Sequence, residues 1–391
     1  MKDGLHIIDS DLHVIETGEI YEKYLDEKYH AKKPQYLGLS PTNFPHWDVQ
    51  GQMIPPWARS PDVIGPQQYL DAPTEHLYKS VREQGYDALS TLTAMDAEGI
   101  DVGVIYRTFA HMVVSIDDLE PAYAMAYCAA FNDWLADYCQ TNAKRLKPAA
   151  IVSLHDPELA AAEAQRAVEK KGHVAVVLLP MPINGRYFHA SECDVLWQEV
   201  TRLRVPLAFH GTSGGASKDY VTNRFRGLPN FRTQNHASAF PLELMLALSA
   251  MTVGGVLERF PDLKVAFLEG NCGWLPWWLH RLDDQWKKYG GGESIKLSAK
   301  PSEYFKRQCF IGTDVDEDLL SVVVDEIGDD NIVMSVDYPH ADGPFPNGTK
   351  TFLDLPGVGK DSKRKIMWDN CLRLYGFAED RLGVMSTAQS H

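Results

Sequence analysis

At 391 residues the chain can hold one large α/β domain, and an apolar content of 45% with 9 Trp, 17 Tyr and 15 Phe excludes global disorder. Its 38 basic against 53 acidic side chains give a formal charge of −15, which argues against a nucleic-acid partner, since a polyanion demands basic surfaces. A polar start (Met1-Lys2-Asp3-Gly4), a longest apolar run (Leu242–Leu257) broken by Glu243 and Gly254-Gly255, and cysteines without CxxC spacing argue against a signal peptide, a membrane span and a disulfide framework, so a cytoplasmic globular enzyme with no membrane partner is expected.

Short β-branched runs alternate with longer amphipathic ones. The expected strands are His6–Asp9, Val102–Tyr106, Pro148–Val152, Val174–Leu179, Pro206–Phe209, Val265–Leu268, Gln308–Ile311 and Ile332–Val336. Between them lie expected helices at Pro121–Thr141, Pro157–Lys171, Val195–Arg202, Pro241–Arg259, Trp274–Lys288 and Asp316–Ile327, with a closing helix from Ile366 to Tyr375. This alternation predicts an α/β fold, a (β/α)8 TIM barrel; an open doubly wound sheet is disfavoured because no GxGxxG follows the first strand. Two stretches break the pattern. Residues 17–91, rich in Pro, Tyr and Trp, are expected to form a cap over the barrel mouth, and Gly211–Asn235 a long loop after the fifth strand. The expected division is one barrel domain over 1–376, including the cap, and a loose tail over 377–391.

Four expected strands end in metal-binding side chains. In Ile7-Ile8-Asp9-Ser10-Asp11-Leu12-His13, period-two alternation puts Asp9, Asp11 and His13 on one face. His210 closes Pro206-Leu207-Ala208-Phe209, Glu269 closes a row in which Val265 and Phe267 are expected to share its inward face, and Asp337 follows Ile332–Val336 just before Pro339. A barrel brings the C-terminal ends of its strands to one mouth, so Asp11, His13, His210, Glu269 and Asp337 are expected to share a cation. Imidazoles and carboxylates without thiolates suit Zn, Fe or Mn. His236 and His280 compete as further ligands, Glu16 and His340 are expected to orient ligands, and Asp9 and Asp342 to act as structural caps. Arg107 and Arg186 follow strands two and four and are expected to meet an acidic substrate; Trp47 and the other cap aromatics suggest an apolar, cyclic body.

Asp11-Leu12-His13, Phe209-His210-Gly211 and Ser335-Val336-Asp337-Tyr338-Pro339-His340 together resemble the amidohydrolase-related TIM barrels (the amidohydrolase 2 group), a group that includes aminocarboxymuconate-semialdehyde and resorcylate-type decarboxylases and assorted hydrolases. Leu92–Asp101, Glu258–Leu263 and Asp369-Asn370 with Leu374-Tyr375 extend the resemblance to nearly the whole chain. It implies Asp11, His13, His210 and Asp337 as ligands of a divalent metal. Where the decarboxylases carry a catalytic histidine after strand six, this chain has Glu269, a ligand suited to a second cation. The expected activity is therefore hydrolysis of a small carbonyl substrate by metal-activated water, with Asp337 relaying the proton and Glu269 and His210 assisting. The alternatives are a nonheme diiron monooxygenase, holding two Fe, and a non-oxidative decarboxylase of an aromatic acid. The helix at Pro241–Leu257 and the Trp274/Trp277/Trp278/Trp286 cluster suggest a homodimer.

Overall fold

Eight apolar runs pair side by side, all parallel and in chain order: β1 (Ile8–His13), β2 (Val102–Tyr106), β3 (Leu146–Ile151), β4 (Ala175–Leu178), β5 (Leu207–His210), β6 (Val265–Leu268), β7 (Cys309–Asp314) and β8 (Ile332–Ser335). Near-continuous apolar sequence suits them because each is covered on both faces, by the barrel interior and by helices. The computed structural model describes residues 1–16, 19–39, 45–56, 84–340 and 343–382. The seam between β8 and β1 is bridged largely by side chains: Ser10 Oγ donates to the Met334 carbonyl at 2.8 Å, Ser335 Oγ to the Asp11 carbonyl at 2.7 Å, and Val336 N–H to Asp9 Oδ2 at 2.8 Å. The result is a TIM barrel, as the alternation predicts.

The surrounding helices are α1 (Ala88–Glu98), α2 (Pro121–Cys139), α3 (Pro157–Lys171), α4 (Asp194–Leu203), α5 (Phe231–Thr252), α6 (Leu275–Tyr289), α7 (Pro301–Gln308), α8 (Leu320–Ile327) and α9 (Asn370–Tyr375). Local chemistry fixes the best-punctuated of them. In α3, Asp156 accepts from the Glu158 and Leu159 amides, Pro157 supplies a fixed φ at the first position, and Gly172 takes the left-handed turn at φ 78° that ends the helix. Its bounds match the expected ones. Helix α5 does not begin at Pro241 but runs through it, because Phe231, Asn235 and Ala239 repeat on its buried face and hold the preceding turns in place.

Within the stretch expected to form the cap, the described residues make a short helix (Glu19–Lys23), a 3-10 turn (Glu27–Lys32) and a three-stranded antiparallel sheet of Gln35–Leu39, Pro45–Val49 and Gln52–Ile54. Asp342 lies outside the described residues. The long loop after β5 is tied down by Asp117, whose carboxylate accepts from Ser217 Oγ and the Lys218 amide. Beyond Phe377 the chain remains packed as far as Leu382, with Trp368 Nε1 donating to Glu379 at 2.8 Å. Of the Trp cluster, Trp274 and Trp278 pack against the core while Trp277 is 60% exposed. Among the described residues no helix is long and apolar enough to cross a membrane.

The aromatic layer between barrel and helices is continuous: Phe209 stacks on Phe267 with ring centroids 5.7 Å apart and meets Phe188 edge-on at 4.7 Å. Phe267 is fully buried. Phe267→Ala is expected to lower the unfolding free energy by about 3–5 kcal/mol, measured by urea denaturation.

Candidate metal centre

His13 closes β1 with a fully buried ring. Its Nδ1 lies 2.9 Å from the Arg107 carbonyl, an acceptor only, so the neutral ring carries its hydrogen there and a lone pair on Nε2. What faces that lone pair is a set of carboxylate oxygens: Asp337 Oδ1 at 3.1 Å, Asp11 Oδ1 at 3.6 Å and Glu269 Oε2 at 3.8 Å. His13 Nε2 makes no hydrogen bond. His210, closing β5, is likewise fully buried, with Nε2 at 3.0 Å from Asp11 Oδ1 and 2.8 Å from Glu269 Oε2. An unpartnered His13 lone pair facing three carboxylates, with the His210 ring beside two of them, fits a divalent cation, and the two-imidazole, oxygen-rich set suits a metal of the Mn, Fe or Zn type.

In the metal-free state protons balance part of the charge. Burial opposes protonation of His210, but Asp11 and Glu269 outweigh it and raise its pKa to about 9. Burial alone would raise Glu269, yet the neighbouring imidazoles, His210 first, hold its carboxyl well below the usual range. The same opposition keeps Asp337 low, with His340 and His13 beside it.

The backbone places two of these carboxylates by leaving regular structure. The register pairs Phe209 with Phe267 and His210 with Leu268, and directly paired residues of parallel strands project to the same side. Phe267 therefore faces the helices, contrary to the expected inward row with Glu269. Glu269 reaches His210 because its own backbone enters the left-handed region at φ 55°, as does Asp337 at φ 57°. Such φ values are strained for residues with a Cβ and are held by their surroundings. Glu317 accepts from the Cys272 and Gly273 amides just after Glu269, and Asn271 Nδ2 donates to Asp314 Oδ2 at 2.7 Å. In β1 an irregularity between Asp9 and Leu12 breaks the alternation. Asp9 does not join its neighbours at the centre; it accepts from the Asp11 and Val336 amides, a structural role as expected.

Asp11, His13, His210 and Glu269 form one group of ligand atoms, and His13, Asp337 and His340 a second. His340 Nδ1 is 2.7 Å from Asp337 Oδ1, its Nε2 3.0 Å from Thr108 Oγ1, and its ring stacks on His13 at 4.1 Å. Glu16 fixes the segment carrying Thr108 by accepting from the Thr108, Phe109 and Ala110 amides. Both residues thus hold groups beside the cluster in place, and His340 also stands among atoms that could hold a metal.

Other expected site residues lie elsewhere. His280 is exposed on α6 and belongs to neither group. His236 also belongs to neither, but it lines the cavity in front of the centre and packs against Phe240 at 4.9 Å. Arg107 does not offer its guanidinium at the mouth. It is 2% exposed, with Nη2 on the His210 carbonyl at 2.9 Å and beside His210 Nδ1 at 2.8 Å, and Nε on His111 at 2.8 Å. Arg186 is engaged by Glu192 at 2.7 Å and by the Leu154 and His155 carbonyls. Trp47 packs on Phe109 at 5.0 Å and lines a small cleft with Glu16 and Tyr21, apart from the metal-facing cavity.

That cavity, about 200 Å³, is bounded by Glu269, Asp337, Asp314, Asp316, Phe240 and His236 among others. Asp314 was not singled out in the sequence. Burial, reinforced by the charges of Asp337 and Glu317, pushes its carboxyl up to about 8. The signal for it was the one used for the others, a polar residue closing an apolar strand, but β7 runs to Asp314, three residues past its expected end at Ile311.

The amidohydrolase family model (amidohydro_2) matches residues 8–377. The chain is 25% identical over 297 residues to the gamma-resorcylate decarboxylase of Polaromonas sp., covering 72% of this chain and 85% of that protein. Its fold is similar to that of an amidohydrolase, map2389c, from Mycobacterium avium subsp. paratuberculosis (TM-score 0.75, 22% identity, 95% of this chain and 100% of that one). It is also similar to that of a 5-carboxyvanillate decarboxylase from Novosphingobium aromaticivorans solved with manganese and 3-methoxy-4-hydroxy-5-nitrobenzoic acid (TM-score 0.68, 19% identity, 96% and 98%). A buried cluster of imidazoles and carboxylates at one rim of a parallel barrel and a family match over nearly the whole length lead to one conclusion: the chain belongs to the amidohydrolase family.

Proposed function

We propose that the protein is a metal-dependent carboxy-lyase that releases CO2 from a small aromatic acid without oxidation. The observation that carries this reading is the polar cluster around His13 Nε2 opening onto a single-ring-sized cavity with an aromatic wall, in a chain whose relatives include a gamma-resorcylate decarboxylase. It replaces the hydrolysis expected first from the sequence, because a similar protein with a stated reaction, aligned over 297 residues, is a decarboxylase. Manganese, found with the similar 5-carboxyvanillate decarboxylase, is the proposed metal.

Asp11, His13 and His210 would hold the cation, with Glu269 and Asp337 at its edge; when bound it supplies positive charge to draw electrons from the substrate's oxygens. The chain's own groups do the rest. Phe240 and His236 offer ring faces to the substrate. Asp314, protonated near neutrality and fixed by Asn271, holds a proton at the cavity wall. As the bond between ring carbon and carboxylate breaks, its electron pair stays on the ring carbon, the Asp314 proton goes to that carbon, and CO2 leaves. Arg107 and Glu16 act at one remove, fixing His210 and the Thr108–Ala110 segment.

A second reading rests on the group His13, Asp337 and His340, which with Glu269 between the two sets could hold two ions, as in oxygen activation by two irons. Elemental analysis separates them: one manganese-type ion per chain supports decarboxylation, and two irons per chain support the oxygenase.

Since an apo His210 protonated up to about pH 9 must lose its proton to a cation, loading at pH 7 is expected to release about one proton per ion, read by calorimetry in buffers of different ionisation enthalpy. His210→Ala is expected to abolish metal retention while leaving the circular-dichroism spectrum unchanged. Asp314→Asn is expected to lower kcat for CO2 release about 100-fold or more while KM shifts only a few-fold.

A further inference from the structure

Two of the groups gathered at the centre are each followed by a glycine, His210 by Gly211 and Glu269 by Gly270. Neither glycine is demanded by its backbone, since neither has a positive φ. Space explains them. A Cβ on Gly211 would overlap Phe240 Cδ1 and lie 3.2 Å from its Cγ and Cε1, and a Cβ on Gly270 would overlap Leu244 Cδ1. Phe240 and Leu244 stand one turn apart on α5 and are buried, so this helix seats a ridge directly on bare backbone at the ends of β5 and β6.

Phe240 also lines the cavity of about 200 Å³ that Glu269 and Asp337 bound. Its other neighbours leave it little slack. It belongs to a buried apolar cluster with Leu179, Met181, Ile183, Tyr220 and Ala239, and His236 packs on its ring at 4.9 Å. Tyr220 is itself tied down, its hydroxyl donating to the Thr212 carbonyl at 2.5 Å. A close-packed interior does not yield, so a ring pushed off Gly211 has the cavity as its outlet. The place of the aromatic wall is therefore set at the residue next to His210.

Resting on the decarboxylase reading, we infer that Phe240, seated on Gly211, is the specificity-determining residue of the cavity: it leaves room beside the cation for one ring and excludes a fused second ring.

The test is calorimetric binding of 2-hydroxybenzoate and 3-hydroxy-2-naphthoate to the manganese-loaded full chain. The two acids share their carboxylate and neighbouring hydroxyl and differ by one fused ring. The benzoate is expected to bind at least about ten-fold more tightly, and Phe240→Ala to shift that preference at least about ten-fold toward the naphthoate. Gly211→Ala is expected to weaken the benzoate about ten-fold or more with the metal retained, and Gly211→Ala/Phe240→Ala to bind it within about three-fold of Phe240→Ala alone. An unchanged preference in Phe240→Ala, undiminished benzoate binding in Gly211→Ala, or a double variant as weak as Gly211→Ala would each overturn the inference. So would binding of neither acid, or loss of metal in Gly211→Ala that the second substitution does not restore, which would tie the glycine to His210 rather than to Phe240. The decarboxylase reading fails separately, if acids that bind with the expected preference release no CO2.

Discussion

The structure depends on a problem of charge placed at one end of a barrel. His13 is anchored through Nδ1 and turns a buried lone pair toward Asp11, Glu269 and Asp337, while His210 lies between Asp11 and Glu269 from the other side. Carboxylates this close and this poorly hydrated do not persist without positive charge among them. In the metal-free chain that charge comes from the His210 imidazole and the neighbouring Arg107 guanidinium; a divalent cation would replace the His210 proton and satisfy the His13 lone pair as well. The rest of the site serves to keep these groups from relaxing away from one another.

The barrel supplies that rigidity cheaply in sequence terms. Strand ends far apart in the chain meet because parallel strands in order must present their C-terminal ends together. The finer placement is local. Left-handed turns at Glu269 and Asp337 redirect two carboxylates, and the cost of that backbone is offset by the hydrogen bonds that Glu317, Asn271 and Ser335 make around them. Arg107 is the centre's internal prop. Its side chain links the end of β2 to His210 on β5 and to the Gly211 carbonyl just after it.

Much of this was legible in the residues. Apolar strands closed by Asp11, His13, His210 and Asp337 announce both the barrel and the polar cluster at its rim, because a charged group ending a buried run needs a reason to be there. Glu269 lies beside His13 and His210, but not for the reason that strand alternation supplies. Alternation from Phe267 assumes a regular strand, and a positive φ at a glutamate is invisible to periodicity. Asp314 was lost to a strand boundary drawn too early. Arg107 and Arg186 show the opposite limit: an arginine near a mouth reads the same whether it meets a substrate or a backbone carbonyl, and only coordinates separate the two. His280, off the apolar stripe of its helix, is exposed, which the spacing of that stripe permitted but did not require.

The most direct test of the central claim is anomalous diffraction from crystals of the manganese-loaded chain. One strong peak is expected within about 2.0–2.3 Å of His13 Nε2, His210 Nε2 and an Asp11 oxygen. A cation bound elsewhere, or a peak out of bonding reach of both imidazoles, would contradict the account.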